Sequence, residues 1–181
     1  MSESQGCRIS SNAGKLALCC VLAHGTLAWA QPSFVPDATV SCVAEASKAS
    51  PARSGHAVLD CVGVAAQACM TSPEGGTTIG MMSCLQAELA YWDRRLNLAY
   101  AKQMAAAKSE DAAMSSIRAT TTSLVDALKG MQRKWISFRD AACLYEQAQW
   151  LGGTGGGPAT LACHMHETAR QALKLEGWWS Q

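Results

Sequence analysis

Cys163-His164-Met165-His166-Glu167 puts four potential metal ligands into five consecutive residues. On a helix, however, His164 and His166 project about 200° apart and cannot share one ion. Zinc-binding histidine pairs usually stand at i,i+4 or on a turn. Met81 and Met82 are soft ligands suited to copper, but methionine at helical spacing usually fills a core. No metal and no cofactor is expected. Thiol redox chemistry needs Cys-x-x-Cys or an isolated activated cysteine, and beyond residue 30 the chain has neither. Hydrolysis through a Gly-x-Ser-x-Gly elbow is absent, and His56 stands alone at an expected helix start. Gly152-Gly-Thr-Gly-Gly-Gly157 lacks the Lys-Ser/Thr of a phosphate loop and follows a helix rather than a strand. Nothing singles out a pair of carboxylates for glycosidase-type chemistry. The residues point to binding rather than catalysis.

The cysteines have a structural reading. The chain contains nine, and Cys7, Cys19 and Cys20 fall in a segment with the layout of an export signal. Arg8 and Lys15 form its basic start, residues 16–23 its short apolar stretch, and Ala28-Trp29-Ala30 a small-x-small cleavage site. Cleavage after Ala30 leaves an even six: Cys42, Cys61, Cys69, Cys84, Cys143 and Cys163. An even count in an exported chain implies a disulfide framework, so a bacterial periplasmic or secreted location is expected. Loss of Arg8, Lys15 and Glu3 takes 15 basic and 14 acidic residues to 13 of each, a net charge of zero. That balance argues against nucleic acid, and no stable membrane anchor is expected once the signal is removed.

Helices must carry these groups. All five prolines lie outside the stretches of helical periodicity, and no convincing strand alternation occurs. Short helices are expected over 39–49 and 56–70, and a long one from an N-cap at Thr78 to Lys108. Its stripe is Leu85, Leu89, Trp92, Leu96 and Ala99. A second long helix over 112–151 carries Leu124, Leu128, Met131, Trp135, Phe138, Ala142 and Tyr145, and a fifth follows over 158–176 with Pro158 at N1. The expected fold is all-α: an antiparallel long-helix hairpin with shorter packed helices, stapled by disulfides. Local pairing would join Cys42 to Cys61, Cys69 to Cys84 and Cys143 to Cys163, one of fifteen possibilities. Beside the seam, Asp93 and Asn97 share one helix face, as do Gln132 and Arg139. Such groups either pair between helices to set register or form a recognition patch; the first is the commoner outcome.

Several ordered motifs accompany these residues. Gly80-Met81 leads to Cys84-Leu85, Glu88, Trp92-Asp93-Arg-Arg-Leu96-Asn97 and Tyr100. Gln132-Arg133-x-Trp135-Ile136-x-Phe138-Arg139-Asp140-Ala-x-Cys143 follows, then Gly152-Gly153-Thr154, Cys163 and Thr168. In this order, over about Cys69 to Leu175, the chain resembles the lysozyme inhibitor LprI family of small exported bacterial proteins. The family's Thr-x-x-Arg ending appears here as Thr168-Ala-Arg170-Gln171. The resemblance implies a helical domain over 69–177 with bridges Cys69–Cys84 and Cys143–Cys163, preceded by a 31–68 segment holding the extra cysteine pair. It also implies binding to lysozyme or another envelope protein. The candidate recognition residues are then Trp92, Asp93, Asn97, Tyr100, Gln132, Trp135, Arg139 and Asp140, with Gly153, Thr154 and Gly155 as a protruding loop. A protein-binding module would show a rigid exposed patch, with a tryptophan among Trp150, Trp178 and Trp179. A binder of small ligands or cell-wall fragments would show an enclosed pocket between helices. An envelope structural protein would show neither.

Overall fold

A computed structural model describes residues 32–48, 57–117 and 122–178. The expected export signal, His56 and Trp179 lie outside the described residues. The described chain is all-α, and three disulfides join Cys42 to Cys61, Cys69 to Cys84 and Cys143 to Cys163. The helices are α1 (Asp37–Ala46), α2 (Val64–Met70), α3 (Thr78–Ser116), α4 (Leu124–Ala148) and α5 (Gly156–Glu176).

The α3 stripe forms as its periodicity predicts: Leu85, Trp92, Leu96 and Ala99 are buried and Leu89 packs against them. Its closest partner is α5, which contributes Met165, Ala169, Ala172, Leu173 and Leu175 to the same core. The other long helix, α4, lies mainly on α5 and touches α3 less. Leu128, Met131 and Trp135 of the expected α4 stripe pack on the core, but Phe138 and Tyr145 are exposed. The reason is that α5 already fills the α3 groove, so α4 buries only one edge of its apolar surface.

Helix boundaries follow capping. Thr77, rather than Thr78, caps α3, its Oγ1 accepting the Gly80 N–H at 3.0 Å. The α3 helix runs past Lys108 to Ser116, and α4 begins at Leu124 instead of 112. Asp111, expected near the gap between the two, lies inside α3 and caps α4 from outside. Its Oδ1 accepts the Leu124 N–H at 2.8 Å, and its Oδ2 accepts from Val125 N–H at 3.1 Å and Ser123 Oγ at 2.8 Å. Those bonds, led by the Leu124 and Val125 amides, hold the Asp111 carboxyl below its ordinary pKa. A lowered folded-state pKa means this stabilisation is complete above the usual carboxylate range and lost as pH falls through the folded value. Protection of the Leu124 and Val125 amides, taken relative to their intrinsic exchange rates, should therefore fall on acidification below that range. In Asp111→Asn that acid dependence should disappear; an unchanged profile would remove Asp111 from the turn's energetics.

The expected single helix over 56–70 is divided instead. Residues 57–59 are helical, Gly63 adopts φ +95°, and α2 starts at Val64. Only glycine takes that backbone readily, and a Cβ there would lie 3.2 Å from Met165 Cε. No side chain of its own segment caps α2. The cap comes from elsewhere in the fold, from Glu88.

Candidate functional site

Glu88 lies on the buried face of α3, fully enclosed, between Leu85 and Trp92. Its Oε1 accepts from Thr39 Oγ1 at 2.9 Å, Gly63 N at 2.8 Å and Trp92 Nε1 at 3.1 Å; Oε2 accepts from Ala66 N at 2.7 Å. Thr39 Oγ1 in turn accepts the Ala65 N–H at 3.0 Å. A carboxylate facing the N–H groups that open α2 satisfies donors the helix cannot, and it complements the helix dipole. The cluster thereby locks α1 and α2 to α3. Trp92 is accordingly a buried structural residue: its ring is enclosed, and the Arg95 guanidinium stacks on it at 4.7 Å. Sequence reasoning quoted Glu88 within a motif but missed this role. The available signal was a carboxylate at position 88 on the 85–92–96 apolar stripe.

The remaining motif residues divide by partner. Asn97 Nδ2 donates to Asp93 Oδ2 at 3.0 Å within α3. Gln171 Nε2 donates to Gln132 Oε1 at 2.9 Å, joining α5 to α4. Gln171 is buried, whereas Arg170 is exposed. Arg139 donates through Nε at 2.9 Å and Nη2 at 2.7 Å to Asp140 Oδ1, and stacks over Trp135 at 4.9 Å. Tyr100 and Trp135 pack against the core. So the expected register-setting contact exists for Gln132. Asp93 and Arg139 instead find partners on their own helices, because α5 holds α3 and α4 apart along most of their length.

The histidines of the 163–167 run lie against different clefts. His164 shares one with Asp93 and Arg139, and His166 shares another with Gly63 and Met165. Both have lowered pKa values, chiefly from desolvation, with Arg139 adding to the effect at His164. Among the described residues, no three His, Cys, Asp or Glu side chains are grouped to hold a metal ion.

The α4–α5 loop is folded back on itself. Leu151 takes φ +48° and Gly152 φ +85°, reversing the chain. The Gly153 N–H donates to Trp150 O at 2.7 Å, and the Gly156 N–H to Gly153 O at 3.1 Å. The Trp150 ring lies across Gly155, where any Cβ would collide with it. Cys143–Cys163 closes the base with a Cα–Cα distance of 5.4 Å. Outside this frame, Leu151 is 94% exposed, Tyr145 67% and Trp150 51%, and Gly153 and Thr154 are exposed beside them. Trp178, by contrast, packs against the core. This is a braced apolar edge, and the two clefts beside His164 and His166 are open rather than enclosed.

A family model described as lysozyme inhibitor LprI matches residues 69–175, spanning α3, α4, α5 and two of the three bridges. The chain belongs to the lysozyme inhibitor LprI family. An uncharacterised 17.7 kDa protein from the puhA 5′ region of Rhodobacter capsulatus is 29% identical over 139 residues, covering 76% of this chain and 82% of that one. No solved structure matches. Within this LprI chain, α1, most of α2 and the Cys42–Cys61 bridge precede the matched span. The Glu88 cluster ties them to it. No helix among the described residues is long and apolar enough to cross a membrane.

Proposed function

We propose that this chain is an exported, non-catalytic binding protein that inhibits lysozyme by docking the α4–α5 edge into it. The braced loop carries the reading. A run of glycines would be costly to order on binding if it were free. Here Trp150 lying on Gly155, the turn hydrogen bonds and the Cys143–Cys163 closure have met that cost before any partner arrives. Rigid aromatic side chains at the centre of an exposed patch are the usual anchors of a protein interface, and Trp150 and Tyr145 are placed to be them. Three disulfides and family membership support export, with cleavage after Ala30 and a periplasmic or secreted site of action. A net charge of zero on the chain after cleavage leaves apolar contact, not electrostatic steering, as the source of affinity.

The test is lysis of a peptidoglycan suspension by a c-type lysozyme, titrated with the oxidised protein. Saturable loss of activity near one equivalent is expected. Trp150→Ala should weaken inhibition by roughly 30-fold, the size of a hot-spot truncation near 2 kcal/mol. Full lysis in the presence of excess folded, oxidised protein would remove lysozyme as the partner.

A further inference from the structure

Asp93 and Arg139 face one cleft of about 390 Å³ between α3, α4 and α5, yet they form no ion pair with each other. Each is restrained on its own helix, Asp93 by Asn97 and Arg139 by Asp140 and Trp135. Opposite charges therefore line one space without pairing. Two of the five guanidinium N–H groups of Arg139 are used by Asp140, so donors remain, and Asp93 Oδ1 has no partner among the described residues. Leu89, Ala90 and Leu161 supply an apolar wall between them. Asp140 already offsets the Arg139 charge, so a lone anion would meet the Asp93 charge uncompensated. A ligand carrying an ammonium and a carboxylate can engage Asp93 and the free N–H groups of Arg139 together.

We propose that this cleft binds a small zwitterion, an amino acid or short peptide, with its ammonium group on Asp93, its carboxylate on Arg139 and its side chain on the Leu89–Leu161 wall. The site lies on other residues than the lysozyme-binding edge and does not depend on that reading. His164 lines the same cleft, and its lowered pKa keeps the imidazole neutral at pH 7, so it adds no positive charge against the ligand's ammonium. The open cleft sets a modest affinity, with Kd on the order of 0.1–1 mM.

The experiment is a two-dimensional ¹H–¹⁵N NMR titration of the oxidised protein with alanine and with alanyl-alanine, each in both enantiomeric forms. Saturable shifts centred on Asp93, Arg139 and His164 are expected with at least one of them. Stronger binding of alanine assigns the site to free amino acids, and stronger binding of alanyl-alanine to peptides. N-acetyl-alanine, lacking the ammonium, and alaninamide, lacking the carboxylate, should each bind at least about tenfold more weakly, as should Asp93→Asn and Arg139→Gln. Trp150→Ala should bind the zwitterion unchanged, which separates this site from the lysozyme-binding edge. Absence of saturable shifts with all four compounds would overturn the proposal. So would equal binding of the N-acetyl and amide analogues to the wild-type protein, whatever the folding of the two variants.

Discussion

Glu88→Ala is expected to unfold this protein more readily than any exposed substitution. The change removes the acceptor of four hydrogen bonds: Ala66 N and Trp92 Nε1 lose a buried partner, Gly63 N a part-buried one, and Thr39 Oγ1 keeps only the long 3.5 Å contact to Cys61 O. An unsatisfied buried donor costs about 1–3 kcal/mol, so a total loss of roughly 4 kcal/mol or more is expected. For a chain of this size that lowers Tm by roughly 10–15 °C in thermal unfolding monitored by circular dichroism. Glu88→Gln provides the finer test. Its carbonyl can keep the Oε1 partners, but its NH2 meets the Ala66 N–H, so an intermediate loss of about 1–3 kcal/mol is expected. A Glu88→Ala protein with wild-type Tm would show that the cluster is not what joins α1 and α2 to α3. The same variant should leave the α4–α5 loop intact, because no member of the cluster lies on α4.

Removing the Cys143–Cys163 bridge, by Cys143→Ser with Cys163→Ser, should act on the α4–α5 edge instead. The bridge spans 20 residues, and closing a loop of that length is worth about 3 kcal/mol in the chain-entropy model. Its local effect should exceed that global figure. Cys143 is the one α4 residue that is fully buried, so the last turns of α4 are held to α5 chiefly through it. Without it, amide exchange should rise from about residue 141 through the loop, and lysozyme inhibition should fall further than the stability loss explains. The Cys42–Cys61 double serine variant is the matched control: similar loop length, a bridge from α1 to the segment before α2, and inhibition retained. Equal loss of inhibition in both variants would mean that the loop's shape does not matter and would move the binding face elsewhere.

Much of this architecture is legible in the sequence because it rests on local or periodic signals. The apolar spacing of Leu85, Trp92, Leu96 and Ala99 marks the buried face of α3 without reference to its partner. Cysteines on either side of short connections pair locally because the helices they sit on are neighbours in the chain. The ordered Trp92, Trp135, Cys143 and Cys163 motifs suffice to indicate the LprI family.

Other features depend on groups that meet only in the folded chain. The break at Gly63 is not a matter of helix propensity, since the stripe through Val58, Val62 and Ala65 runs across it. It arises because a carboxylate 25 residues away accepts the Gly63 N–H. Asp111, beyond the expected end of α3 at Lys108, lies within that helix and caps α4 only once the two helices turn back on each other. The α4 stripe shows the same limit from the other side. Periodicity identifies Phe138 and Tyr145 as apolar positions on a helix, but burial depends on how many neighbours compete for a groove. With α5 occupying the α3 seam, those side chains are left facing water. Sequence alone thus indicated the all-helical class, a local pairing of the cysteines and the family. Tertiary packing decided which apolar and charged groups were left over for a partner, because burial and hydrogen-bond satisfaction are properties of the whole assembly of helices rather than of any one segment.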